Sequence, residues 1–306
     1  NTTKSILMAI SSIFSSLQKT ISSKIVLNTI ARNSQENNGV VNIHRIDEKN
    51  IGDYYCAPHH YFDQLKESLD IFDYKSLNPA IKQNFIDSIS QNSLVIGGGG
   101  LLNRGSFDKQ MHLFEKLSQK NKKMVLWGLG HNEKNPKAFG KVTKYNIDTQ
   151  KFGLVGVRDY DMKEEWVPCA SCLHPILDTK SEVINEIGLI FHKKTLNNPK
   201  VLGKFKNYPS TSNTTSLEDI ISFIAKTDTV VTDSYHAMYW SMLMNKKVVV
   251  FPNSSKFFTF KYQPVFSSID TFKLDCKKAQ NYSGILEECR DINLKFSEKA
   301  FDYLGY

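Results

Sequence analysis

The chain has 306 residues, 41% hydrophobic and 23% charged, with 39 Lys and Arg against 31 Asp and Glu for a formal net charge of +8. No apolar run approaches the ~18 residues that span a bilayer. The cysteines (Cys56, Cys169, Cys172, Cys276 and Cys289) are odd in number and lack a disulfide framework's spacing. An integral membrane protein, a disordered tail and a stapled miniprotein are thereby excluded, and a reducing cytoplasm is the expected compartment.

At roughly 100 to 200 residues per domain the length calls for two domains. Only five of the basic residues are arginine (Arg32, Arg45, Arg104, Arg158 and Arg290), so each arginine invites a specific role. The lysines come as scattered pairs such as Lys122-Lys123 and Lys193-Lys194, with no interleaved aromatic platform. That pattern argues against nucleic acid and leaves small anionic substrates or an anionic lipid surface as partners.

Residues 4–31 carry Ile and Leu at three- and four-residue spacing and read as an amphipathic helix or two, packed on its own domain or lying on a membrane surface. After a polar loop from Arg32 to Gly39 the pattern becomes alternating strands and helices. Val40 to His44 is a strand, Ala57 to Ser68 a helix, Leu94 to Ile96 a buried strand, and Ser106 to Ser118 a helix. Lys123 to Trp127 is a strand, Asn135 to Tyr145 a helix, and Gly153 to Val157 a strand.

Short apolar strands separated by crossover-length helices make a parallel sheet. An irregular stretch, 159–185, leads to a second unit of the same rhythm. Its elements are strand Ile187 to His192, helix Ser216 to Lys226, strand Thr229 to Thr232, helix Tyr235 to Leu243 and strand Lys247 to Phe251. The tail from Asn281 to Leu304 reads as helix. The expected domains are 1–175, a Rossmann-like unit with an extra amino-terminal helix, and 176–306, a second such unit with a carboxyl-terminal helix.

Open parallel sheets bind ligands at the carboxyl ends of their strands, and several motifs fall there. Leu94-Val95-Ile96 empties into Gly97, Gly98, Gly99 and Gly100 before a helix, which reads either as an anion cradle or as a tight turn. The run is neither GxGxxG nor a phosphate loop with GK[ST]. Gly128-Leu129-Gly130-His131 and Val157-Arg158-Asp159 repeat the theme. An arginine at the end of a buried strand needs a partner, so Arg158 is either paired with a neighbouring carboxylate or a ligand clamp.

Thr232-Asp233-Ser234-Tyr235-His236 ends another strand. A helix N-terminus lowers the pKa of an imidazole, so His236 is either a proton-transfer group working near neutrality or a residue of the helix cap. Cys169-Ala-Ser-Cys172 followed by His174 has a zinc-like spacing, but no second pair accompanies it, and no metal site is expected.

Asn50-Ile51-Gly52-Asp53, the glycine run Gly97 to Leu102, Gly128-Leu129-Gly130, Val157-Arg158-Asp159 and Thr232 to Ala237 stand in one order and spacing over about residues 40–255. In this the chain resembles the polysaccharide pyruvyl transferase family. The resemblance implies two Rossmann-like lobes with parallel sheets facing a cleft, similar to the GT-B arrangement. It implies transfer of the enolpyruvyl unit of phosphoenolpyruvate to sugar hydroxyls of a bacterial glycan or its precursor, such as a capsule or exopolysaccharide, as a pyruvate ketal.

By the resemblance His236 is the acid or base and Arg158 binds the donor's carboxylate or phosphate. The donor site would draw on Gly97, Gly98, Gly99, Gly100, Arg104, His131, Ser234, Tyr235 and Lys256, and the acceptor site on Asp53, Tyr54 and His59. Some members carry an arginine where this chain has Ser234, so Arg104, His131 or Lys256 must supply that anion contact. No cofactor beyond the donor substrate is expected. The partners are phosphoenolpyruvate and a sugar or lipid-linked glycan, with a peripheral contact at the inner membrane face as a further expectation. A glycosyltransferase using a nucleotide sugar and a non-catalytic glycan-binding relative are the alternatives.

Overall fold

A computed structural model describes residues 20–306. The part of the expected amino-terminal helix before residue 20 lies outside the described residues. Residues 20–32 are helical (α1); Val26 and Ile30 sit in the core while Ile21 and Ile25 face solvent.

Strand β1 (Val40–His44) is followed by the short helix α2 (Ile51–Tyr55), strand β2 (Ser68–Asp70) and helix α3 (Pro79–Gln91). Helix α3 starts at Pro79, where a missing N–H costs nothing, and the Asn78 side chain accepts from Ala80 N at 2.9 Å. Strands β3 (Ser93–Ile96) and β4 (Gly99–Leu102), helix α4 (Asp108–Ser118), and strands β5 (Met124–His131), β6 (Leu154–Val157) and β7 (Glu165–Trp166) complete the first half. All pair in parallel, in the order β2-β1-β3-β5-β6-β7, with β4 also paired to β5.

The second sheet is also parallel, in the order β12-β11-β10-β8-β9. It comprises β8 (Asn185–Phe191), β9 (Ser210–Ser212), β10 (Thr227–Thr232), β11 (Lys247–Val250) and β12 (Val265–Phe266). Helices α5 (Pro199–Lys204), α6 (Leu217–Ala225), α7 (Tyr235–Leu243), α8 (Phe272–Cys276) and α9 (Ile285–Leu304) cover it or lead away from it. Every residue of β3, β5 and α7 is buried, as continuous apolar runs covered on all sides require. The fold is therefore α/β with parallel sheets.

Helix α9 belongs to both cores. Ile285, Leu286 and Cys289 pack with α6 and α7, whereas Phe296, Ala300 and Leu304 pack with Val95, Val125 and Trp127 of the first sheet. Asn293 marks the changeover: its Oδ1 accepts from Trp127 Nε1 at 3.0 Å, and its Nδ2 donates to Pro168 O and Cys289 O. Arg290 anchors the same helix to Asp178 through a two-pronged ion pair.

Three local expectations need correction. Ala57 to Ser68 is not a helix: it forms two 3-10 turns, Pro58–His60 and Asp63–Leu65, because Asn42 Oδ1 takes the His59 N–H at 3.0 Å and ties the turn to β1. Between Asn135 and Tyr145 only the 3-10 turn Pro136–Ala138 forms, followed by Gly140 at φ +67°. The glycine run does not open a helix; Gly99 begins β4, and α4 starts only at Asp108. No helix among the described residues is long and apolar enough to cross a membrane.

Candidate active site

The carboxyl ends of β1, β3, β5, β6, β8, β10 and β11 converge on one cleft of about 490 Å³. This is where open parallel sheets place ligands. Its walls come from both sheets: Arg45, Asp53, Gly98 to Leu101, Arg104, Lys134 and Arg158 from the first, and His192 to Thr195, Asp233, Tyr235, His236 and Lys256 from the second. Seven lysines and arginines line it against three aspartates, and with Arg45 paired to Asp70 and Lys193 to Asp47 an excess of positive charge remains.

Three of the chain's five arginines, Arg45, Arg104 and Arg158, are in this wall. The field is visible on His192, whose pKa falls to about 4 through burial and then through Lys256, Lys134, Lys193 and Lys194. Lys256 is itself lowered to about 7 by desolvation first and by Lys134, Arg158 and Arg104 next, with Asp53 opposing.

Arg158 is 2% exposed, and its Nε has no hydrogen-bond partner among the described residues. The neighbouring carboxylate is already engaged elsewhere. Asp159 Oδ2 accepts from His131 N at 2.8 Å and Tyr145 Oη at 3.0 Å, and Oδ1 accepts from Thr259 Oγ1 at 2.8 Å. The guanidinium instead lies 4.1 Å from the centre of the Tyr235 ring, across the cleft and one residue before His236. Of the two sequence readings of Arg158, the ion pair is limited to the electrostatic pull of Asp159, with no hydrogen bond between the two side chains.

His236 is the second residue of α7 and 6% exposed. Its Nε2 lies 3.5 Å from Cys169 Sγ, which orients the ring. Burial, then Arg158 and Lys256, push its pKa well below the ordinary histidine value. The imidazole is therefore neutral in the empty cleft, not poised near neutrality as the helix terminus alone suggested. Ser234 occupies the N-cap position, but its side chain makes no capping hydrogen bond.

The glycines of the motifs serve these two side chains. A Cβ on Gly52 would stand 2.3 Å from His236 Nδ1, and one on Gly130 would stand 2.5 Å from Arg158 Nε. A Cβ on Gly100 would meet Asn132 at 2.9 Å and the Arg158 guanidinium at 3.1 Å. The bare backbone thus makes room for the imidazole and the guanidinium.

Of the residues expected from sequence, Asp53, Gly98, Gly99, Gly100, Arg104, Arg158, Tyr235, His236 and Lys256 line the cleft. Gly97, His131, Ser234, Tyr54 and His59 are not among its lining residues. His131 is wholly buried with Nδ1 2.6 Å from Ser255 Oγ, the Tyr54 ring packs on Tyr55 and His60, and His59 stacks with His60 and His44. The Cys169, Cys172 and His174 side chains diverge: Cys169 faces His236, Cys172 Sγ receives Asn293 Nδ2, and His174 Nδ1 accepts from Ile176 N. Sequence reasoning missed Arg45, Lys134, Lys193 and Lys194; scarcity of arginine was the signal that could have found Arg45.

The family model described as polysaccharide pyruvyl transferase matches residues 34–255, which contain every cleft-lining residue except Lys256. The chain belongs to the polysaccharide pyruvyl transferase family. No curated protein matches it. Membership makes it a transferase connected with pyruvylation of glycans, and a glycan acceptor follows from the family.

Proposed function

We propose that the protein transfers the enolpyruvyl unit of phosphoenolpyruvate to two hydroxyls of a glycan or lipid-linked glycan precursor, forming a pyruvate ketal. The two sheets then act as two Rossmann-like lobes, divided near residue 175, that face the cleft in a GT-B-like manner. The observation that carries this reading is Arg158, a buried guanidinium with an unpartnered Nε beside His236 in a cationic cleft. A buried guanidinium whose Nε has no hydrogen-bond partner among the described residues fits a ligand that brings an acceptor.

In this reading Arg158, Arg104 and Lys256 bind the donor's carboxylate and phosphate. Entry of that anion offsets the two cations that depress the pKa of His236, so the imidazole takes up a proton as the donor binds. The protonated ring delivers the proton to the methylene carbon, making carbon 2 electrophilic. A sugar hydroxyl adds there and loses its proton to a base, for which Asp53, its own pKa raised by burial, stands in the opposite wall. Inorganic phosphate leaves as its bond to carbon 2 breaks, and the second hydroxyl closes the ketal with loss of its proton.

The scheme requires no cofactor. We place it in the cytoplasm, acting on an acceptor at the inner membrane face. The test is incubation with phosphoenolpyruvate and a panel of glycan acceptors. Acceptor-dependent phosphate release with an increase in acceptor mass of one ketal-linked pyruvate is the expected result. Release of nucleoside diphosphate from a nucleotide sugar instead makes the protein a glycosyltransferase, and glycan binding with neither release makes it a non-catalytic relative.

A further inference from the structure

Behind the cleft wall lies a second cluster that the proposed reaction does not use. His44 is the last residue of β1, and the 3-10 turn Pro58–His60 brings His59 and His60 against it. The His44 and His59 ring centroids are 5.1 Å apart, those of His59 and His60 3.9 Å, and those of His44 and His60 6.2 Å. Taking one ring nitrogen from each residue, the three atoms lie within 4.8 Å of one another. None of the three residues lines the cleft.

His44 is the decisive member. It is completely buried, yet neither of its ring nitrogens has a hydrogen-bond partner among the described residues. Leaving a buried polar group unpaired is costly, and an apolar side chain at that strand end would avoid the cost. A neutral imidazole carries one protonated and one bare nitrogen, so each of the three rings has a lone pair to offer. Three neutral imidazoles facing one another repel protons but suit a cation that accepts nitrogen ligands.

We propose that His44, His59 and His60 form a binding site for one divalent d-block ion, Zn2+ being the representative, which pins the turn after α2 to the end of β1. The surroundings fit such a site. His60 Nε2 donates to Tyr54 O at 2.8 Å, which fixes its proton there and leaves Nδ1 as the ligand atom. Asn42 holds the turn: its Oδ1 takes the His59 N–H, and its Nδ2 donates to Val95 O and Gly97 O. Zinc-to-nitrogen bonds of about 2.0 to 2.1 Å in a tetrahedron bring ligand nitrogens to roughly 3.3 Å, so binding draws the rings inward by about an ångström. The fourth position is open to water.

The test uses the whole chain, freed of metal by chelator and desalting, and titrated with Zn2+ by calorimetry and with Co2+ by visible absorption. The expected result is one equivalent of Zn2+ per chain, a four-coordinate Co2+ spectrum, and a rise in unfolding temperature on adding Zn2+. His59→Ala and His60→Ala each weaken Zn2+ binding by more than about 100-fold, beyond what loss of a supporting hydrogen bond costs. His112→Ala, at an exposed histidine of α4, leaves binding unchanged. Metal-free His59→Ala should unfold at the temperature of the metal-free parent, which separates loss of a ligand from loss of the fold. Absence of stoichiometric binding to the parent, or binding that survives His59→Ala combined with His60→Ala, overturns the proposal.

Discussion

Two buried cations of this chain stand in opposite situations. Lys122 is 3% exposed, and its ammonium is held by four backbone carbonyls, those of Glu36, Ile89, Ser90 and Asn92, at 2.5 to 2.9 Å. Arg158 is equally buried but leaves Nε without a hydrogen-bond partner among the described residues and rests on an aromatic face. The first cation is satisfied by the protein and closes the end of α3 onto the start of β5. The second, on the proposed function, finds its partner in a ligand. A buried charge alone does not mark a site; the hydrogen bonds it lacks do.

The largest effect is expected at the imidazole next to the unsatisfied cation. His236→Ala should slow turnover by roughly 100-fold to 10,000-fold, the range for a lost acid or base, with a smaller change in donor affinity. Steady-state phosphate release against donor concentration separates the two. Near-normal turnover in a folded variant would reduce His236 to a packing residue.

Lys122→Met should lower stability in urea unfolding by about 3 kcal/mol, since several buried carbonyls lose a charged donor, while donor affinity stays unchanged. Arg158→Ala should do the reverse, weakening donor binding by about 100-fold in calorimetry with no loss of stability, and Arg158→Lys should recover little of it. If stability and affinity respond the other way round, the comparison fails.

The smallest effect concerns pH. With Lys256 at about 7 in the free protein, its cation is lost above neutrality, and the dissociation constant for phosphoenolpyruvate should rise by up to about tenfold per pH unit above 7. Lys256→Arg, which stays charged, should flatten that rise. The stability contribution has the opposite direction. The folded value lies below the unfolded lysine value of 10.5, so the unfolded chain binds more protons between them, and the free protein gains stability from this group as pH rises from about 7 towards 10.5.

What could be read from the chain follows from how local each signal is. Strands β1, β3, β10 and β11 and helices α6 and α7 announce themselves as apolar runs ended by polar or glycine segments, and the strand-end motifs hold Arg158, Tyr235 and His236, which line one cleft. The misread segments are those decided by distant partners. The turn at His59 depends on Asn42, and β4 depends on a place beside β5 that no pattern in Gly99 to Leu102 reveals. Arg45, Lys134, Lys193 and Lys194 sit in loops, where a charged residue carries no periodic signal, and they become a site only when both sheets are assembled. His44 reads as an ordinary strand end, because the lack of hydrogen-bond partners for its ring nitrogens among the described residues exists only in three dimensions.

Helix α9 sets an order on biosynthesis. The face of the first sheet formed by Val40, Val95, Val125 and Trp127 is completed by Phe296, Ala300 and Leu304, which are made long after the strands they cover. Chains usually fold from the amino terminus as they emerge, but here an early-made sheet waits with an uncovered apolar face until α9 has been made. A nascent or truncated chain lacking α9 is the form most exposed to aggregation. A tag or fusion that delays docking of the carboxyl terminus prolongs that exposure.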